Sequence, residues 1–199
     1  MKGRPREFDM EHVLGAMMSV FWEKGFEGAS LSDLLNATGL QKGSLYKAFH
    51  SKQEMFQQAL THYVSAIHAE TKQVVEAAGS PLAGIEAMLK KVAVDACGKR
   101  NGHRGCLAIK SMMDRTSHDA EVVEILKATI ASAEKGLAEL IEAGQAAGEI
   151  RNDLSAKALA EALYCLTSGM LATSGIATTK ARTDRIVAFG VESLKSRTI

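Results

Sequence analysis

The sequence predicts an all-α protein of about nine helices, and three observations carry that expectation. Apolar residues recur at steps of three and four along most of the chain, the period of one helix face, and no segment reads as a convincing strand. Turn and strand formers are scarce for a β-sandwich: 2 prolines stand against 17 glycines, and aromatic residues make up 5% of the 199. Helix-start signals recur ahead of the apolar runs, at Ser30, Ser51 and Ser80. An apolar fraction of 46% and a charged fraction of 24% belong to a folded globular chain and exclude wholesale disorder.

The elements follow in order. A short basic arm (Lys2, Arg4, Arg6) precedes a helix over about 9–24, with Val13, Leu14, Met17, Val20 and Phe21 at helical spacing and Gly25 as its stop. Ser30 and Asp33 form a capping box, with Asp in place of Glu, for a short helix over 31–37 that ends at Gly39. A third helix covers 42–49. Ser51-Lys52-Gln53-Glu54 then caps a long helix that carries Met55, Phe56, Ala59, Leu60, Tyr63, Val64 and Ile67 on one face. Ser80-Pro81 opens a helix over 81–98. A Gly-rich and basic loop leads to helices near 106–115 and 118–147, a turn over 148–153, and two last helices over 155–174 and 181–195.

Several function classes are excluded or set aside at once. The formal charge is only +1, so bulk charge alone does not point to nucleic acid. Cys97, Cys106 and Cys165 suggest no disulfide framework. The N-terminus lacks the apolar core of a secretory signal, and no apolar run is long enough to span a bilayer. The expectation is a reduced, cytoplasmic chain with no membrane partner. Ser44-x-x-Lys47 matches a nucleophile motif of penicillin-recognising enzymes, but its Ser-Asp-Asn and Lys-Thr-Gly companions do not occur. Cys97, His103 and Cys106 fit no common zinc spacing. No metal, cofactor or catalytic residue is expected.

The informative segment runs from Leu31 to Phe49. It reads as helix, four-residue turn, helix, with Gly39 supplying the turn's positive φ and Leu34, Leu40, Leu45 and Phe49 locking the two helices at a steep angle. The second helix of such a unit fits the DNA major groove. Its first residues suit that role: Gln41, Lys42 and Ser44 can reach bases or phosphates, and Gly43 permits close backbone approach. Ser32 at the head of the preceding helix, Tyr46 and Lys47 one turn on, and Lys52 at the next helix start complete the candidate DNA face. Arg4 and Arg6 read either as a solvated tail or as a minor-groove arm.

Residues 8–56 resemble the DNA-binding domain of the TetR/AcrR family of one-component transcriptional repressors. The matching pieces are Phe21-Trp-Glu-Lys-Gly-Phe-Glu-Gly-Ala-Ser30, Leu34-Leu35, Thr38-Gly39-Leu40, Lys42-Gly-Ser-Leu-Tyr46, Phe49 and Ser51-Lys-Gln-Glu54. That resemblance implies a homodimer whose three N-terminal helices bind a double-stranded operator, and a larger C-terminal domain that binds a small-molecule effector. The family often has a small residue where Leu35 stands and His-Tyr where Lys47-Ala48 stands.

The expected division is therefore a DNA-binding head with its basic arm, residues 1–51, and an effector and dimerisation domain, residues 52–199. For the effector pocket the candidates are Met88, Cys106, Met112, Met113, Leu166 and Met170, soft or apolar side chains that suit a cavity reshaping around an apolar ligand. For dimerisation they are Leu159, Leu163, Ile186, Phe189, Val191 and Leu194 on the last two helices, with Gly169 and Gly190 allowing close approach. An alternative reading makes Cys106, near His103 and Arg104 in sequence, a thiol sensor of oxidants or electrophiles. A small helical enzyme and a protein-binding adaptor are the readings from other classes.

Overall fold

The computed structural model describes residues 9–98, 104–114 and 120–196. Among the described residues are nine α-helices: α1 (Met10–Gly28), α2 (Leu31–Thr38), α3 (Lys42–Ala48), α4 (Lys52–Glu76), α5 (Pro81–Ala96), α6 (Leu107–Met113), α7 (Ala120–Ala146), α8 (Ala156–Ala172) and α9 (Lys180–Leu194). One isolated antiparallel bridge joins Ile150 and Lys195. The starts follow local chemistry. Ser30, Ser51, Ser80, Ser155 and Thr179 each turn a side-chain oxygen onto a backbone N–H of the first turn, satisfying a donor the helix leaves orphaned.

The expected stop at Gly25 is a kink instead. Gly25 adopts φ 72° and ψ 174°, and the chain then makes a further turn to Gly28, with the Ala29 N–H donating back to the Gly25 carbonyl. A positive φ of this kind favours glycine. The kink swings Phe26 across the first turn of α4, where it packs against Phe56 and Phe21.

Two apolar cores result. The first joins Val13, Met17 and Phe21 of α1 to Leu34, Leu45, Phe49, and to Met55, Phe56, Ala59, Leu60 and Tyr63 of α4. It continues into Leu107 and Ala108 of α6 and Val122 and Leu126 of α7, so it runs unbroken past residues 51 and 52. The second joins α5, the C-terminal half of α7, α8 and α9 through Ile85, Leu89, Ile141, Leu159, Leu163, Val187 and Leu194.

That second core corrects the expected pairing surface. Leu159, Leu163, Val191 and Leu194 are buried inside their own protomer, because α8 packs on α7 and α5 while α9 lies along α5. Gly190 serves the same packing: a Cβ there would sit 3.0 Å from Leu166 and 3.1 Å from Leu89. Phe189 is different. It is 68% exposed, with Ile186 half-buried on the same helix and open space around Gly169 on α8. Among the described residues, no helix is long and apolar enough to cross a membrane.

Candidate nucleic-acid interface

The α2–turn–α3 unit is held from both ends. At its start, Asp33 accepts from the Ser30 backbone N–H and hydroxyl and pairs with Lys24 of α1. Lys24 first, then Ser30, hold its carboxyl well below the usual carboxylate range. In the turn, the Thr38 hydroxyl donates to the Leu34 carbonyl at 2.7 Å and accepts from the Leu40 N–H, while Gly39 takes φ 67°. Leu45 and Phe49 are buried, which fixes the roll of α3 on the head.

That roll leaves a continuous polar face outward. Gln41, Lys42, Gly43, Ser44, Tyr46 and Lys47 are all exposed, and Ser32 is exposed on α2. Gln41 is the N-cap residue of α3 but makes no side-chain capping bond, so its amide is left facing solvent. A Cβ on Gly43 would meet nothing within 4 Å, so a ligand backbone can approach closely there. Among the described residues, Lys42, Lys47 and Lys52 have no carboxylate at ion-pair distance, whereas Lys24, away from this face, is paired. Among the described residues of the head, the lysines without an ion pair are thus those of α3 and of the start of α4. Arg4 and Arg6 lie outside the described residues.

Two contacts of this surface escaped the sequence reading. The Lys52 ammonium sits over the Phe26 ring. His50, between α3 and α4, is bound twice by one carboxylate oxygen: Glu54 Oε2 accepts its backbone N–H at 2.8 Å and lies 2.9 Å from Nδ1. The Ser51-x-x-Glu54 cap pattern marked Glu54, but it did not show that its carboxylate reaches back to the N′ residue.

The head is tied to the rest of the chain by residues 104–114. The Trp22 indole N–H donates to the Arg104 carbonyl, the Arg104 guanidinium donates to Ser19 Oγ, and Lys110 Nζ donates to the Trp22 and Glu23 carbonyls. Trp22 also meets Tyr63 of α4 edge to face, with ring centroids 4.9 Å apart. Tyr63 is pushed far up from the ordinary phenol range by burial first and by Cys106 second.

The six effector-pocket candidates do not line one cavity. Met88 and Met170 are buried, Leu166 packs on the second core, Cys106 and Met112 lie half-buried on the first, and Met113 is 78% exposed at the end of α6. Adjacent helical side chains point about 100° apart, so α6 turns Met112 towards the first core and Met113 away from it. A groove of about 670 Å³ between α5 and α9 is lined by none of the six. Arg104, near Cys106 in sequence, directs its guanidinium to Ser19 Oγ, and His103 lies outside the described residues.

Two family models match the chain: residues 13–59 match "Bacterial regulatory proteins, tetR family", and residues 81–189 match "Tetracyclin repressor-like, C-terminal domain". The chain belongs to the TetR family. Among its TetR-family relatives, the HTH-type transcriptional repressor ComR of Escherichia coli strain K12 is 29% identical over 177 residues, covering 85% of this chain and 80% of ComR. The regulator CifR, solved as a cysteine mutant with a 26-bp double-strand operator, is 28% identical at a TM-score of 0.84, covering 96% of this chain and 99% of that one. E. coli NemR in its reduced form shares the fold at a TM-score of 0.84 and 20% identity, over 95% and 98% of the two chains. The two family models match on either side of residues 60–80, most of which lie in α4.

Proposed function

We propose that the chain is a DNA-binding transcriptional repressor that acts as a homodimer and is released from a pseudo-palindromic operator by a small-molecule effector. One observation carries the DNA-binding part. The exposed, carboxylate-free face Gln41–Lys47 is presented on a helix whose roll and tilt are fixed by buried Leu45 and Phe49. Relatives named as repressors, and CifR held on its operator, support the same reading.

In this reading Lys42, Gln41 and Ser44 meet base edges, and Tyr46, Lys47, Ser32, Lys52 and the arm residues Arg4 and Arg6 meet backbone. Residues 1–51 act as the head and residues 52–199 as the effector and dimerisation domain. Pairing uses the part of α8 and α9 left open in the protomer, around Phe189, Ile186 and Gly169. An effector lodged among the C-terminal helices shifts α4 and with it the spacing of the two recognition helices.

Selection of duplexes from a random-sequence pool, followed by fluorescence anisotropy on the recovered site, tests this. The expected result is a two-fold-related motif bound far more tightly than a scrambled duplex, with loss of the preference in Lys42→Ala. No enrichment over the unselected pool overturns it.

A further inference from the structure

We infer that His50 is a further phosphate-contacting residue, and that its contact requires a protonated imidazole, so that DNA binding takes up a proton. This rests on the DNA-binding reading above and extends it to a residue no motif marks.

The geometry comes from the α3–α4 connection. His50 follows Phe49, the C-cap of the recognition helix, and precedes Ser51, the N-cap of α4, so it stands between the two elements that present Tyr46, Lys47 and Lys52. Its side chain is 85% exposed. Glu54 holds its position by accepting the backbone N–H and facing Nδ1 from the same oxygen. A neutral imidazole in that arrangement carries its proton on Nδ1, which leaves Nε2 as a bare acceptor on the solvent side. An acceptor cannot bind a phosphate oxygen. With a second proton, Nε2–H becomes a donor, and the ring becomes a cation between Glu54 and the DNA backbone.

The surrounding charges favour that form in the complex. From α4, Glu54 is the charged group in contact with the ring, and His50 itself, through its backbone N–H first and its ring second, lowers the Glu54 carboxyl below its ordinary range. An ionised carboxylate this close to the phosphate-facing end of α4 repels DNA unless a cation lies between them. The nearest cations along the chain do not cancel Glu54: Lys52 is engaged with the Phe26 ring, and Lys47 is exposed on α3 with no ion pair among the described residues.

The sign follows from linkage. Because binding takes up a proton in this proposal, affinity is higher at low pH and falls as pH rises. The full-length protein is titrated with a selected operator duplex and, at low salt, with a duplex of arbitrary sequence, since a phosphate contact carries no sequence information. Anisotropy is read from pH 5.5 to 8.5 at fixed ionic strength. Wild type should weaken with rising pH, approaching about tenfold per pH unit for each protomer engaged. His50→Gln should be flatter in pH and match wild type at pH 8.5. His50→Arg, permanently charged, should also be flatter and match wild type at pH 5.5. Equal pH slopes in wild type and His50→Gln, or a flat wild type, overturn the proposal. Absence of binding to either duplex at any pH overturns the DNA-binding reading itself. Circular dichroism of both variants checks that the helices are intact.

Discussion

The Lys52 ammonium lies 4.6 Å from the centroid of the Phe26 ring. An aromatic face attracts a cation without neutralising it and leaves ammonium N–H donors free, which a carboxylate partner would not do. The ring is itself held by Phe21 and Phe56, and it reaches α4 only because Gly25 kinks the chain. Phe26→Leu should therefore lower operator affinity about two- to fivefold, the range of an exposed cation–π contact. Lys52→Ala should reduce the salt slope of binding by roughly 1 for each protomer. Anisotropy titrations across salt concentrations separate the two outcomes.

Gln41 and Lys42 stand exposed at the start of α3, and among the described residues Gln41 makes no capping bond and Lys42 no ion pair. Replacing either by Ala should alter which sequences are preferred, by about 1–3 kcal/mol for each lost base contact. Tyr46→Ala should instead weaken all sequences alike. Parallel selections with each variant show whether preference or overall affinity has changed.

Lys110 holds the last turn of α1 by donating to the Trp22 and Glu23 carbonyls, with Trp22 bound back to Arg104. Lys110→Met leaves those carbonyls to water and should destabilise the chain by about 0.5–1 kcal/mol, the range for a cation at a helix C-terminus. Trp22 is the single tryptophan, so its emission should shift in this variant as the indole surroundings loosen. Chemical denaturation followed by Trp22 fluorescence reads both quantities.

Gly144 carries Ile150 against its backbone: a Cβ there would lie 2.5 Å from Ile150 Cδ1 and 2.8 Å from Cγ1. The Gly144 carbonyl also accepts the N–H groups of Glu149 and Ile150, which closes the turn after α7. Gly144→Ala should cost about 1–3 kcal/mol by overpacking, more than the helix propensity of Ala returns. Thermal denaturation compared with Gly136→Ala, a site with open space around it, isolates the steric part.

Asp33 is held ionised by Lys24 and by the Ser30 hydroxyl and backbone N–H. A carboxyl lowered in the folded chain contributes stability that is present above the ordinary aspartate range and is lost as pH falls through the lowered value. Acid should therefore loosen the α1–α2 junction only at strongly acidic pH. Asp33→Asn should remove that part of the acid transition and lower stability at neutral pH, as followed by circular dichroism between pH 2 and 7.

Much of the fold was legible because its signals are local. A Ser side chain reaches its own helix's first turn whatever lies beyond, so Ser30, Ser51 and Ser80 mark starts reliably. Gly39 marks the turn between α2 and α3 for the same reason. The exposed polar face of α3 was legible as well, since polar residues at Gln41, Lys42, Ser44 and Lys47 alternate with apolar ones that must point inward. What could not be read was the destination of apolar residues on α8 and α9. Leu163 and Phe189 both read as interface, but α8 turns the first into the core it shares with α5 and α7, while α9 leaves the second exposed. Met112 and Met113 are indistinguishable in sequence and differ widely in exposure.

The chain order alone determined the nine helices among the described residues, the caps at Ser30, Ser51 and Ser80, and the polar outer face of α3, because each depends on residues within a few positions of one another. Tertiary structure decided the rest. It turned Arg104 towards Ser19, set Phe26 under Lys52, and brought Glu54 back onto His50. Those contacts depend on how helices cross and where a kink falls, and short-range periodicity carries no information about either.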